Sequence, residues 1–276
     1  MKNVIKRFAD GTLALYVVAV TLVTTVFLFL PVFITILMAF DARDYLGPFP
    51  PPGFSLQWFY RLWHNDYLLK GLYTSIQVAA SATVLATCVG TLAALALSRM
   101  NRSRDLIASI FLSPLVMPGV VMGFAMLMFF SAFQLMSPFT RLAAGHLIIA
   151  IPYAIRLTLI GLMGINESLR EAALGLGANE RQAFFTVTLP LAKNSIAAGA
   201  IFAFAFSMDD LAISLFLSDY KTYTLPVALV GLMRASFDLT IAATAVVLVA
   251  LTLVLLFTLD RVIGLERAIG QDIHKA

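Results

Sequence analysis

Polar and apolar positions alternate along this chain on the scale of whole helices. Apolar runs occupy roughly residues 14–39, 72–97, 106–130, 142–163, 194–217 and 240–260, and most polar residues collect between them. Each run holds about 20 to 26 residues, enough to cross a hydrocarbon layer of about 30 Å with some tilt. The pattern predicts an all-α membrane protein with six transmembrane helices. The first run is too long for the core of a cleaved signal peptide and no clear small-x-small site follows it, so it is expected to remain as an anchor.

One polar segment has more internal order than a connecting loop needs. Residues 171–191 read EAALGLGANERQAFFTVTLPL. Ser168 followed by Glu171 fits a capping box and predicts a helix start. Leu169, Ala172, Ala173 and Leu176 then form an apolar stripe at helical spacing, and Gly177 supplies a stop. Asn179 with Gln182 gives a second start, Phe184 and Val187 extend an apolar face, and Pro190 marks the end before the next span. Spacing alone leaves two readings, an amphipathic hairpin lying at the membrane surface or an element that docks on a partner.

Composition sharpens the setting. Hydrophobic residues make up 61% of the 276 and charged residues 12%, about half the charged share of a soluble domain. The single cysteine, Cys88, excludes a disulfide framework. Lys and Arg divide unevenly between alternate connections. Twelve of the 19 fall in the N-terminal tail (Lys2, Lys6, Arg7), the 98–105 loop (Arg99, Arg102, Arg104), the 164–193 loop (Arg170, Arg181, Lys193) and the C-terminal tail (Arg261, Arg267, Lys275). The positive-inside bias therefore predicts that both termini and the 171–191 segment are cytoplasmic. The basic balance follows from this topology and gives no reason to invoke nucleic acid.

Charges inside spans are costly, about 2.5 to 3.5 kcal/mol each at a helix centre facing lipid. Asp209 and Asp210 in the fifth run and Arg156 in the fourth must therefore face protein or water. They either lock helices together or line a pathway. On a continuous helix the two aspartates would point about 100° apart, so both cannot address one point. Pro114, Pro118 and Pro152 remove backbone donors and permit kinks. The alanines and glycine of the second run, including Ala79, Ala80, Ala86 and Gly90, predict a helix buried in a bundle. Residues 55–63 are expected to form a short interfacial helix with Trp58 and Trp63 at headgroup level. His64, His146 and His274 are too scattered for a metal or hydrolytic site.

The spacing Glu171-Ala172-Ala173, three residues, Gly177, nine residues, Val187, one residue, Leu189-Pro190 resembles the EAA loop of bacterial ABC-importer permeases, with valine where that pattern has isoleucine. It lies between runs four and five, as in that family. The segments 74–99, 112–126, SMDDLAISLFL (207–217) and TLPV (224–227) extend the resemblance across about residues 70–260. The last two resemble permeases for polyamines, opines and related solutes, in particular the second permease subunit of spermidine and putrescine importers.

The resemblance implies a type I, MetI-like permease subunit of the bacterial inner membrane that moves a small solute inward by alternating access. Its implied partners are a homologous second permease in a heterodimer, an ATPase dimer, an external solute-binding protein and membrane lipid. Glu171, Ala172, Ala173, Gly177, Leu189 and Pro190 would couple to the ATPase. No Gly-rich phosphate loop occurs in this chain, so the resemblance assigns ATP and Mg to that partner, and no enzyme activity or cofactor to this subunit. It further implies an N-terminal segment 1–70, a core 71–262 with the EAA loop at about 164–193, and a cytoplasmic tail 263–276. Related importers of uncharged or anionic solutes carry the same aspartate pair, so an opine or amino-acid derivative remains an alternative cargo. A motor-free carrier or a structural subunit is the alternative class.

Overall fold

The computed structural model describes residues 2–100, 103–133 and 136–263. Arg102, Arg267, Lys275 and the tail beyond 263 lie outside the described residues, as do the side chains of Lys2, Lys6 and Arg7. The described chain is built from α-helices and short helical turns, with one isolated bridge between Asp41 and Phe54. Two compact units are present, one formed by residues up to Asn65 with Leu232–Val249 and the other based on Asp66–Gly231.

The first unit begins with α1 (Lys2–Ala39), whose apolar stretch Leu13–Ala39 is 27 residues long. The most apolar window of that stretch has no residue buried within the chain. A helix apolar on all sides requires lipid or another protein around it. After it, Ala42 N–H donates to Gly53 O and Ser55 N–H to Phe40 O, drawing the proline-rich segment back over the helix end.

This closure seats α2 (Gln57–Trp63) and corrects one expectation. Trp58 does not lie at headgroup level; it is fully buried and packs in a cluster with Met38, Ala39, Leu239 and Ala243. A buried indole needs an acceptor, and Asp41 O accepts from its Nε1 at 2.8 Å. Trp63 is the exposed member of the pair.

In the second unit, α3 (Asp66–Ser98) leads to α4 (Arg104–Leu112), a 3-10 turn at Ser113–Leu115, and α5 (Gly119–Phe133). The third expected span is not a straight helix: Arg104–Leu115 and Gly119–Ala132 meet at 91°. Pro118 causes the break by withholding an N–H, while its carbonyl accepts from Val121 and Met122 N–H to start the next helix. By contrast, Pro152 is buried within α6 (Pro138–Met163) without dividing it.

Next come α7 (Glu167–Gly175), α8 (Glu180–Ala183), a π-turn at Phe184–Thr188 and α9 (Leu189–Asp209). The last three form one 30-residue run, Glu180–Asp209. Pro190 therefore does not end a helix. The wider π-turn immediately before it relieves the clash that a proline ring makes with the carbonyl four residues back. After α9 follow α10 (Ala212–Leu217), α11 (Leu225–Ala235) and α12 (Thr240–Ile263), which occupies the sixth apolar run.

The core of this unit is α3, α6 and α9 in close contact. Ala154 on α6 lies between two glycines. A Cβ at Gly90 of α3 would stand 2.6 Å from Ala154 Cβ, and one at Gly199 of α9 would stand 3.2 Å from Ala154 Cα. Small residues replace the hydrophobic effect as the means of bringing backbones together in lipid. They do so on one face only: Ala79, Ala82, Ala86, Gly90 and Ala94 are buried, whereas Ala80, Val84, Leu85 and Leu92 are exposed. Within the described residues, 33% of the most apolar window of this helix is buried.

Candidate functional site

The 164–193 region folds as a helical elbow. Its first helix starts two residues earlier than the Ser168 box predicts, because Asn166 is the N-cap and accepts from Ser168 N–H at 3.0 Å. An Asn side chain bonds readily to the amide two residues on, which suits Asn166 to the cap. At the other end Gly177 has φ of +91°, Ala178 N–H donates to Ala173 O, and Gly177 N–H donates to Leu174 O. These two bonds make a Schellman stop, which needs a left-handed residue at this position. The predicted second box is present: Gln182 N–H donates to Asn179 Oδ1 at 2.9 Å and Asn179 N–H to Gln182 Oε1 at 2.8 Å. An ion pair between Arg170 and Glu180 closes the elbow across its two arms.

A rigid polar frame thus holds up an apolar edge. Leu176 is 90% exposed and Leu169 48%, with Glu171 and Ala172 also exposed and Ala173 half-buried between them. Among the described residues, nothing covers Leu169 and Leu176 on this stripe. From Glu180 the helix then runs through half-buried Leu189 and exposed Pro190 to Asp209.

The far end corrects the expected fifth span. The 194–217 run is not one helix: it stops at Asp209, and Asp210 is extended with φ −67° and ψ 116° before α10 begins. The two carboxylates therefore do not diverge by the 100° of a continuous helix. Asp210 Oδ2 accepts from Ile213 N–H at 3.1 Å and Ser214 N–H at 3.0 Å, which holds α10 against the break. No hydrogen bond to Asp209 is found among the described residues.

Both aspartates line a cavity of about 400 Å³ with Pro114, Met117, Tyr153 and Phe206. The Tyr153 and Phe206 rings are stacked, with centroids 3.9 Å apart and planes 13° from parallel. The cavity combines negative charge, an aromatic wall and the backbone break before α5. Arg156 is not part of it. This residue lies on an exposed face of α6 and forms no ion pair with Asp209 or Asp210.

Sequence reasoning passed over His146, which is fully buried beside the break. Its Nδ1 is 2.7 Å from Ser207 Oγ and its Nε2 2.9 Å from Ser214 Oγ. A polar ring in the middle of an apolar run needs hydrogen-bond partners away from lipid, and that need was the available signal.

An all-helical chain with an apolar, uncovered first helix, a polar elbow and a charged cavity at a helix break has the architecture of a membrane transport subunit. Residues 86–265 match the family described as "Binding-protein-dependent transport system inner membrane component", and the chain belongs to that family. It is 30% identical over 230 residues to the spermidine/putrescine transport system permease protein PotC of Haemophilus influenzae, covering 83% of this chain and 89% of that protein. It is 29% identical over 236 residues to the putrescine transport system permease protein PotI of Escherichia coli, covering 83% of each. Among solved structures, a bacterial ABC transporter involved in alginate import superposes with a TM-score of 0.68 at 16% identity, over 92% of this chain and 97% of that one. The chain is thus a multi-pass inner-membrane permease component of an ABC importer, which removes the carrier and structural-subunit alternatives.

Proposed function

We propose that this chain is one of two homologous permeases in an importer for a small organic cation of the polyamine class. The helical run Glu180–Asp209 carries the reading, since it joins the elbow to the cavity as one 30-residue run through the π-turn. An ATPase dimer bearing ATP and Mg seats the exposed edge of Leu169, Ala172 and Leu176, and Glu171, Ala173, Gly177, Leu189 and Pro190 set the elbow's shape and its join to the helix. Closure of the ATPase then moves Asp209 and Asp210 relative to α5 and α6. Both termini and the elbow are cytoplasmic in this scheme, and an external binding protein delivers solute to the opposite face. The permease core is 71–262, with 1–70 as anchor and the residues from 263 as tail.

Polyamine cargo is supported by the names of PotC and PotI and by the chemistry of the cavity. Two carboxylates offer charge-assisted hydrogen bonds to ammonium groups, and the Tyr153–Phe206 wall offers cation–π contact along an alkyl amine. Arg156 stays outside the cavity, so in this scheme it acts on neighbouring helices or lipid and does not contact solute.

The test joins two measurements on the assembled importer. Leu176→Cys, in a Cys88→Ser background, should crosslink to the ATPase subunit, and proteoliposomes should accumulate labelled spermidine only with ATP and the binding protein. Absence of the crosslink overturns the coupling role. Efficient ATP-driven uptake of another solute class with no spermidine uptake overturns the cargo.

A further inference from the structure

We infer that His146 is a positioning residue that fixes the acidic break by tying both of its sides to α6. The inference rests on the cavity being part of the solute path. Ser207 lies two residues before the end of α9 and Ser214 lies within α10, so the two hydroxyls flank the break. One imidazole reaches both, at 2.7 and 2.9 Å. Its Nε2 is also 3.8 Å from Asp210 Oδ2, the oxygen that accepts from Ile213 and Ser214 N–H. The ring, the two hydroxyls and the carboxylate form one buried group around the residue whose extended backbone sends the chain from α9 into α10.

The chemistry suits an imidazole. A neutral ring carries one donor and one acceptor on separate nitrogens, and a serine hydroxyl can take either part. Both contacts are therefore satisfied in either tautomer. A histidine that served packing alone would need a partner on one neighbouring element. This one has partners on each side of a break, and the residues between them, Asp209 to Ile213, line the cavity. Losing the ring would leave two buried hydroxyls without partners and release the break from α6.

Leu211 gives a readout that does not depend on cargo, because it lines the cavity at the break and is 37% exposed. In a Cys88→Ser background, the labelling rate of Leu211→Cys by a small water-soluble thiol reagent reports the geometry of the break in the assembled importer. His146→Leu should change that rate by about fivefold or more, the scale set by one lost buried hydrogen bond. His146→Gln, whose amide also has one donor end and one acceptor end, should restore most of it. Spermidine uptake should follow the same order. Should His146→Leu fail to assemble, Ser207→Ala with Ser214→Ala removes the same bonds with little change of volume and should reproduce the shift. An unchanged labelling rate in whichever variant assembles, or a glutamine variant as altered as the leucine one, overturns the inference. Failure of the wild-type importer to take up spermidine overturns the cargo reading instead and leaves the labelling result to stand.

Discussion

Glu180 and Asp209 are the first and last residues of one helical run of 30 residues, so about 45 Å of helix separates the elbow from the cavity. A long helix transmits a push at one end only if that end is held in a fixed attitude. Gly177, with φ of +91°, sets that attitude, and a side chain added there would meet nothing within 4 Å. Any defect therefore arises from the backbone or from the docked partner, not from crowding inside the chain. Gly177→Val should cost about 1 to 2 kcal/mol in the left-handed region and abolish most uptake. Gly177→Asn, which tolerates that region, should keep most of it. Equal uptake by the two variants in a transport assay would contradict this account.

The contact at Ala154 predicts an asymmetric rescue. Gly90→Ala should destabilise the chain by about 1 to 3 kcal/mol through overpacking, seen as a lower melting temperature in detergent. The first atom it meets is a side-chain carbon, Ala154 Cβ, whereas Gly199→Ala meets backbone atoms of Ala154. Ala154→Gly should therefore recover part of the Gly90→Ala loss beyond additivity and none of the Gly199→Ala loss. A double-mutant cycle measures the difference.

The two aspartates should separate by experiment. Asp210→Ala strands two amide groups and should cost about 1 to 3 kcal/mol of stability, while Asp210→Asn keeps an acceptor and should cost less. Asp209→Ala removes no hydrogen bond found among the described residues, so stability should change by about 0.5 kcal/mol or less while uptake falls. Thermal melts paired with uptake assays distinguish these outcomes.

Acid should loosen the first unit before pH affects its helix. The Arg43 guanidinium, hydrogen bonded to Asp41, holds that carboxyl below its ordinary value against the opposing effect of burial. A depressed carboxyl contributes stability above the unfolded value of about 3.9, and the contribution is lost as pH falls through the lower folded value. Trp58, bonded to Asp41 O, should report the change as a red shift of emission below about pH 4. Asp41→Asn should remove the dependence.

Periodicity and caps made the helical architecture legible, and the Asn179–Gln182 box is a case where two residues three apart sufficed. Most of what escaped was set by neighbours distant in sequence. The break at Asp210 is a mixed case: the amides of Ile213 and Ser214 that it accepts from are a local helix start hidden in an apolar run, whereas His146 comes from another helix. Pro118 marked a kink in the third run, but its position alone does not give the size of the bend, which is 91°. Trp58 read as an interfacial aromatic because its acceptor, Asp41 O, comes from a chain reversal 17 residues earlier. The elbow was the most legible part of the site, since its caps are local; the choice of Asn166 over Ser168 and the helix that runs on through Pro190 were what it hid.

The π-turn at Phe184–Thr188 leaves a phase slip in the run it interrupts. Each additional residue in a helical turn rotates everything beyond it by about 100°. Faces counted at regular spacing from Glu180 therefore no longer line up with the same faces after Leu189. Deleting one residue of that turn would let the segment rewind as an ordinary helix, with the elbow held in nearly the same attitude and both sets of faces returned to a single count.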